Sequence, residues 1–465
     1  MIYHILMQLF FLLMILFLGI NVIRLFRLRM GLAENISSGF MLGVGLTTFG
    51  LFLLGFVGYR FNFVGIFLFL LFGNLIFVLI NLSLRNKYSL DLHLGFLKNL
   101  DKLDKFFFGG ITFLFLTLLI RDLYWPIWMW DSIQMYDYRA KLIVQSQSIF
   151  FSAQSFYDAF YPLLTSLVHS ILYVAGSNNP QYVYSFFFLA LVLGVYSYIS
   201  RLTSRKAALL ISFIISFLPI FYRKFLNPET STVFSIFILF GTFYLIRWMH
   251  KNDISYLILG SVFFAFSRFT RNEPLWLPIS LLLFVVVLIG KHKSNIINLG
   301  KFRQILYILI FFLIPNYLVG VIFKKYLSIY NFPESLRFDS QFSFIGLFLQ
   351  YIYGFKLKFV LDSFCLVFKY TIFDIVLPMI VIFFLGFRKH LVGETYYLFL
   401  VVFFYLLTLF VGTFFYRIIY FYSDSNFWAL GTSLARFGMF WQVLVFVLGG
   451  LVLGECFSRI NKEIR

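Results

Sequence analysis

Long apolar runs, separated by short polar breaks, fill this chain almost from end to end. A helix needs ~20 mostly apolar residues to cross a bilayer. By that measure the runs predict spans over 2–23, 39–58, 62–84, 106–123, 181–200, 207–223, 231–248, 254–269, 274–290, 304–323, 366–387, 395–416 and 434–455. The first run is too long for a signal-peptide core and has no small-residue cleavage site, so it reads as a membrane helix. The longest connections, 123–180 and 324–365, leave no soluble domain. The pattern predicts an all-α, polytopic membrane protein of about 13 transmembrane helices, with a first outer loop that carries interfacial, juxtamembrane helices. Residues 1–105 read as an N-terminal helical module, 106–290 as a membrane module with the loop 123–180, and 291–465 as a C-terminal helical module with the loop 324–365.

Composition sharpens this. The chain is 61% hydrophobic, 23% aromatic and 12% charged, where a soluble domain is about 45–50% apolar and about 25% charged. Ten Pro, 30 Gly and two Cys exclude collagen-like and disulfide-scaffold chains. The net charge of +19 suggests nucleic acid only until the basic residues are sorted by loop. In a membrane protein they gather on the cytoplasmic side and set orientation. Tyr161–Gly176 (YPLLTSLVHSILYVAG) is apolar but short. If it crossed, every later basic loop would change sides. If it stays at the outer interface, Arg24/Arg27/Arg29, Arg201/Arg205/Lys206, Arg247/Lys251, Arg388/Lys389 and the other basic loops all fall inside. That arrangement puts the N-terminus out and the C-terminus in.

The outer side then holds the chemistry. Arg121–Asp158 is rich in Trp and Tyr, as expected at the headgroup level, and carries Asp122, Asp131, Asp137, Arg139, Lys141 and Asp158. Ser132–Gln147 reads as an amphipathic helix lying on the membrane, with Ile133, Tyr136, Leu142 and Ile143 as its apolar contacts. Asp131 stands where an N-cap should, and Gln134 completes a capping-box pattern; a carboxylate so placed also faces a cleft. Glu229 in FLNPET precedes a hydrophobic run, as an N-cap-like acid or a catalytic one. Arg268, Arg271 and Glu273 lie in the break SRFTRNEPLW, as a local ion pair or a functional set. Arg436 in TSLARF opens the last span, either snorkelling to headgroups or binding a ligand. Ionisable groups at membrane depth point to function by default.

Together these features resemble the GT-C superfamily of integral-membrane glycosyltransferases, closest to the branch of protein O-mannosyltransferase-like and lipid A aminoarabinose transferase-like enzymes. The resemblance rests on WDSIQMYDYRAKLI, YPLL, the second acid in the next outer loop, TRNE and TSLARF. It covers roughly 106–290 and 428–441, and leaves out the first three spans. It implies an inverting transfer of sugar from a polyprenyl-phosphate donor to an acceptor hydroxyl of a lipid, glycan or protein, on the extracytoplasmic face. By position it implies Asp131 and Glu229 as catalytic acids, Arg271 and Arg436 near the donor phosphate with Arg139 and Lys141 as lesser candidates, and Asp137, Glu273 and Tyr161 in support.

That reaction needs a base for the acceptor proton and cations for a phosphate that gains charge as it leaves. Arg suits the phosphate because its planar fork pairs bidentately with two oxygens. A divalent cation, Mg or Mn, bridging Asp131, Glu229 and the phosphate is compatible with carboxylate donors. The six His and two Cys show no metal-ligand spacing. A lipid or glycolipid transporter or flippase predicts paired internal repeats with broken helices, and no repeat of the 123–180 loop occurs. An O-antigen ligase or polymerase predicts a late outer loop with Arg and His, and Lys324–Cys365 has no His. Nucleic-acid binding is excluded, because the positive charge is dispersed over short loops. GxxxG spacings at Gly39/Gly43 and Gly450/Gly454 mark candidate close helix contacts.

Overall fold

The computed structural model describes residues 2–84, 100–151, 161–271, 306–307, 309–329, 365, 393–405 and 439–463. All regular structure among them is helical. The chain divides into two compact units, Met1–Trp248 with Asp253–Asn272, and Met249–Asn252 with Glu273–Arg465. In the second unit the described helices include Ile314–Ile329, Glu394–Tyr405 and Met439–Glu463. The candidate site lies in the first unit.

That unit runs α1 (Ile2–Leu25), α2 (Leu32–Phe56), α3 (Phe63–Ser83), α4 (Lys102–Tyr124), a π-helical turn (Ser132–Asp137) continuing into α5 (Tyr138–Ser146), α6 (Leu164–Val174), a 3-10 turn (Pro180–Tyr182), α7 (Val183–Leu202), α8 (Arg205–Phe217), α9 (Pro219–Phe225), α10 (Thr230–Lys251) and α11 (Ile254–Thr270). Several starts are written into the sequence. Asn62, Asp101, Ser204 and Asp253 each accept a backbone N–H of the first turn that would otherwise lack a partner. Six described helices are long and apolar enough to cross a membrane: Tyr3–Leu25, Leu32–Phe56, Phe63–Ser83, Lys102–Tyr124, Pro180–Leu202 and Thr230–Lys251. This is an integral membrane protein.

The expected span 207–223 differs from a single crossing. Leu218 is extended (φ −64°, ψ 119°) ahead of Pro219, and the chain forms two short helices instead of one. The proline ring disfavours helical dihedrals at the residue before it. The expected spans 274–290 and 366–387 lie outside the described residues.

Sorting of faces follows lipid as solvent. On α3 only Ile66, Leu70 and Asn81 are buried, and its many exposed Leu, Ile and Phe present an apolar surface. Its polar residues point the other way. Asn74 Nδ2 donates to the Met14 carbonyl at 3.0 Å, Asn81 Nδ2 to the Asn21 carbonyl at 2.8 Å, and Asn21 Nδ2 to Asn74 Oδ1 at 3.3 Å. Within hydrocarbon, side-chain amides find partners on neighbouring helices. At the centre, α10 is buried from Thr230 to Trp248.

Ionic pairs join helix ends that the charge pattern assigned to one side. Arg247 of α10 pairs with Glu34 in the first turn of α2, inside a cage of Tyr198, Tyr244 and Tyr256 rings. Arg205 pairs with Asp104 and Lys206 with Asp101, both at 2.5 Å. At the opposite end of these helices, Asn179 Nδ2 donates to the Asp122 and Trp125 carbonyls at 2.8 and 2.6 Å. The chain therefore leaves α4 and returns to α7 at the same end. The 11-residue α6 spans roughly 16 Å, short of a ~30 Å core.

The Gly39/Gly43 spacing is used within the chain. A Cβ on Gly43 would overlap the Ile15 carbonyl oxygen, and one on Gly19 would overlap the Gly39 carbonyl oxygen. The backbones of α1 and α2 touch there. Gly43→Val should destabilise the protein by about 1–3 kcal/mol, the usual cost of overpacking, seen as a lower thermal unfolding midpoint in detergent. Gly109→Ala, where an added Cβ meets nothing within 4 Å, should leave that midpoint unchanged or slightly raised.

Candidate functional site

The framework of the site is a buried carboxylate. Asp122, 0% exposed, accepts Arg121 Nη1 at 2.9 Å, Gln181 Nε2 at 3.0 Å and Ser185 Oγ at 3.0 Å. Arg121 and Gln181 also donate to the Leu226 carbonyl, at 2.5 and 2.9 Å. One network therefore ties the end of α4, the start of α7 and the α9–α10 connection together. A buried charge is tolerated when its oxygens are bonded in this way.

Over this framework lies the segment from Trp130 to Gln147. Its first part is π-helical, and its α-helical part ends at Gln147, which takes left-handed dihedrals (φ 52°, ψ 28°). The expected capping box is not formed. Asp131 has helical dihedrals (φ −57°, ψ −38°), and its side chain makes no cap bond. The helix begins at Trp130, two residues earlier than the polar pattern indicates, so Asp131 sits inside the first turn. Of the expected apolar contacts, Tyr136 and Ile143 are buried, whereas Ile133 is 42% exposed. The Gln147 carbonyl accepts the Phe61 N–H at 3.0 Å, and Phe150 packs edge-on to Phe56. The α2–α3 connection thus buttresses the loop.

Two charged residues bolt this segment to α6. Asp137, 4% exposed, accepts Tyr173 Oη at 2.6 Å and Lys141 Nζ at 2.8 Å, and lies 3.2 Å from His169 Nδ1. Burial pushes the Asp137 carboxyl up. The hydrogen bond and charge of His169, with the bonds from Lys141 and Tyr173, outweigh it and hold the group at about 2. The Tyr173 phenol is raised by burial and by the Asp137 carboxylate. Arg139 is fully buried, and its guanidinium donates to Ser166 Oγ at 3.0 Å and to the Tyr161 and Pro162 carbonyls at 2.5 and 3.2 Å. Its fork holds the backbone at which the chain turns into α6.

The remaining charged groups converge on Tyr136. Its hydroxyl accepts Thr230 Oγ1 at 2.8 Å, which links the π-helical turn to the first residue of α10. Burial raises the Tyr136 phenol, opposed chiefly by the charge of Arg271, with Arg139 lowering it and Asp131 raising it. Asp131 and Arg271 therefore both lie within charge range of one buried phenol. Arg271 stands at the C-terminal cap of α11, its N–H bonded to the Ser267 carbonyl. Glu229 occupies the residue before α10, as an N-cap-like acid. It is 6% exposed, accepts Ser231 Oγ at 2.8 Å, and pairs with Lys224 Nζ at 3.2 Å.

The charges of Asp131 and Arg271 both act on the Tyr136 phenol, and Glu229 precedes Thr230, which bonds its hydroxyl. Asp137, Arg139, Lys141 and Tyr161 build the adjoining clamp. Glu273 and Arg436 lie outside the described residues. Sequence reasoning missed Lys224, whose only signal was its position five residues before Glu229, and it gave His169 no partner. No group of three or more His, Cys, Asp or Glu suited to a metal occurs among the described residues. One of the two candidate carboxylates, Glu229, is already neutralised by an ammonium. This donor set does not fit a dedicated divalent-cation site.

Residues 160–318 match the family model described as dolichyl-phosphate-mannose-protein mannosyltransferase. The matched stretch begins at the Tyr161–Pro162 turn held by Arg139 and takes in α6 to α11, with Lys224, Glu229 and Arg271. No curated protein and no solved structure matches this chain.

The Asp137 clamp gives a pH test. Its folded-state pKa, about 2, lies below the ordinary 3.8. The stabilisation is therefore complete above about pH 4 and is lost as the pH falls towards about 2. Asp137→Asn should destabilise the protein at neutral pH by on the order of 2 kcal/mol, seen as a lower thermal midpoint. The difference from the wild type should shrink as the pH is brought down through that window. A difference that stays constant would show that the carboxylate charge is not what holds α5 to α6.

Proposed function

We propose that this chain, which its central segment marks as a GT-C superfamily glycosyltransferase, moves a sugar from a polyprenyl-phosphate donor to an acceptor hydroxyl on the extracytoplasmic face. The family description points to a mannosyl donor of that class and a protein acceptor. The observation that supports the mechanism is that an acid, Asp131, and a guanidinium, Arg271, both act by charge on the Tyr136 phenol, whose hydroxyl bonds Thr230 at the start of α10. A carboxylate and a guanidinium set around one buried group are the two parts that transfer requires.

In this reading Asp131 takes the proton from the acceptor hydroxyl as its oxygen attacks the anomeric carbon. The bond from that carbon to the phosphate oxygen breaks on the opposite face, which inverts the configuration. The leaving polyprenyl phosphate is a stable anion and needs no general acid. Arg271 neutralises the charge that develops on it. Arg139 supports the site by fixing the Tyr161–Pro162 turn, and Lys141 by fixing Asp137. Glu229 keeps a second negative charge beside the start of α10. The polar groups collect at helix ends, which favours chemistry at a membrane face over transport through the midplane.

Purified protein incubated with a panel of polyprenyl-phosphate sugars should release polyprenyl phosphate from one of them. Asp131→Asn should reduce that release by at least ~100-fold, the typical share of a general base, with a thermal midpoint close to the wild type. Full activity in this variant would overturn the assignment. Arg271→Ala should raise KM for the donor by about tenfold or more, as loss of a charge-assisted phosphate contact does.

A further inference from the structure

We propose that Lys224 is a donor-phosphate ligand, held in the donor-free protein by Glu229 and released from it when the phosphate arrives. The inference rests on the transferase reading above and names a residue which that reading does not use. It starts from where the cations at this end of the helices spend their hydrogen bonds. Arg121 bonds Asp122 and the Leu226 carbonyl. Arg139 bonds Ser166 and two carbonyls, and is fully buried. Moving either guanidinium to a ligand would strand backbone carbonyls that have no water to replace it. Lys141 is 54% exposed and clamps Asp137.

Lys224 is built differently. Its side chain is only 16% exposed, and its ammonium bonds Glu229 Oε2 at 3.2 Å. An ammonium carries three donors, so this pair leaves capacity for phosphate oxygens. The backbone beneath it is fixed, because its carbonyl accepts Thr232 Oγ1 at 3.1 Å. Its partner is a carboxylate, whose oxygens are the same kind of acceptor as those of a phosphate. Exchange of one anion for the other keeps the ammonium neutralised throughout. Glu229, once released, retains Ser231 Oγ at 2.8 Å. The pair adjoins the site, since Thr230, next to Glu229, bonds the Tyr136 hydroxyl that lies within range of Arg271 and Asp131. In this arrangement Glu229 is a placeholder for the phosphate, which accounts for a buried acid with an ammonium partner where a metal ligand would need an open one.

The test is a double-mutant cycle read by binding of undecaprenyl monophosphate to the full chain in nanodiscs. Lys224→Met should weaken binding about tenfold or more, the loss expected for a charge-assisted phosphate contact. Glu229→Gln, which removes the competing anion, should tighten it. The Lys224→Met/Glu229→Gln double variant should remain as weak as Lys224→Met. Lys224→Arg should bind within a few-fold of the wild type, and guards against a merely misfolded Lys224→Met. If the double variant binds like the wild type, Lys224 serves only to neutralise Glu229 and the inference falls. It falls also if Lys224→Met alone binds normally. Failure of the wild type to bind the lipid phosphate would instead overturn the transferase reading on which the inference stands.

Discussion

The constraint on which the rest depends is that Asp122 is ionisable and entirely out of contact with water. Such a group costs several kcal/mol unless its oxygens are bonded. Its partners come from places far apart in sequence, Arg121 beside it, Gln181 and Ser185 at the start of α7, with Leu226 sharing their donors. Satisfying this one carboxylate fixes three helix ends. The loop 125–179 then starts and finishes at the same place, where Asn179 bonds the Asp122 and Trp125 carbonyls. That closure brings the π-helical turn to the start of α10, where Thr230 bonds the Tyr136 hydroxyl.

The same economy of polar groups accounts for the uneven roles of the helices. Where a helix faces hydrocarbon, as α3 does, its few amides turn inward and bond across to α1. Where a helix is surrounded by protein, as α10 is, charge is tolerated only with partners. Arg247 is held by Glu34 and three tyrosine rings at one end of α10, and Glu229 by Lys224 and Ser231 at the other. The first three helices belong to this scheme. Glu34 is one of the partners, α1 and α2 meet at glycine, and the α2–α3 connection props the loop through Phe61 and Phe56.

What could be read in the sequence was what depends on local order. Helix lengths, the caps at Asn62, Asp101, Ser204 and Asp253, and the shortness of α6 all follow from neighbouring residues. The charge pattern also puts Arg24, Arg27, Arg29, Arg205 and Arg247 on one side, where Glu34 pairs with Arg247 and Asp104 with Arg205. The errors are equally physical. Leu218–Pro219 breaks a run that hydropathy alone treats as continuous. The neighbours of Asp131 fit a capping box, but the helix starts at Trp130, with the Ile133 N–H on the Met129 carbonyl, and takes Asp131 into its first turn. Nothing adjacent to Arg139 shows that its guanidinium reaches the Tyr161 carbonyl, and nothing adjacent to His169 shows that Asp137 lies against it. Those contacts come from the packing of α5 on α6.

The division of labour between arginine and lysine follows from their donors. A guanidinium offers several N–H groups in a rigid plane and suits fixed sets of acceptors. Arg121 and Arg139 are used in that way, on the Leu226, Tyr161 and Pro162 carbonyls. Carbonyls in a dry loop have no alternative partner, so these contacts are permanent. The two lysines at the same end face carboxylates, with Lys141 on Asp137 and Lys224 on Glu229. A carboxylate can be exchanged for another anion without leaving the cation bare. Asp137 keeps Tyr173 and His169 within reach when Lys141 moves, and Glu229 keeps Ser231 when Lys224 moves. Permanent geometry is therefore carried by the arginines of the loop, and exchangeable charge by a lysine at the edge of the site. The proposed transfer, with one charged lipid bound and released in every cycle, needs both.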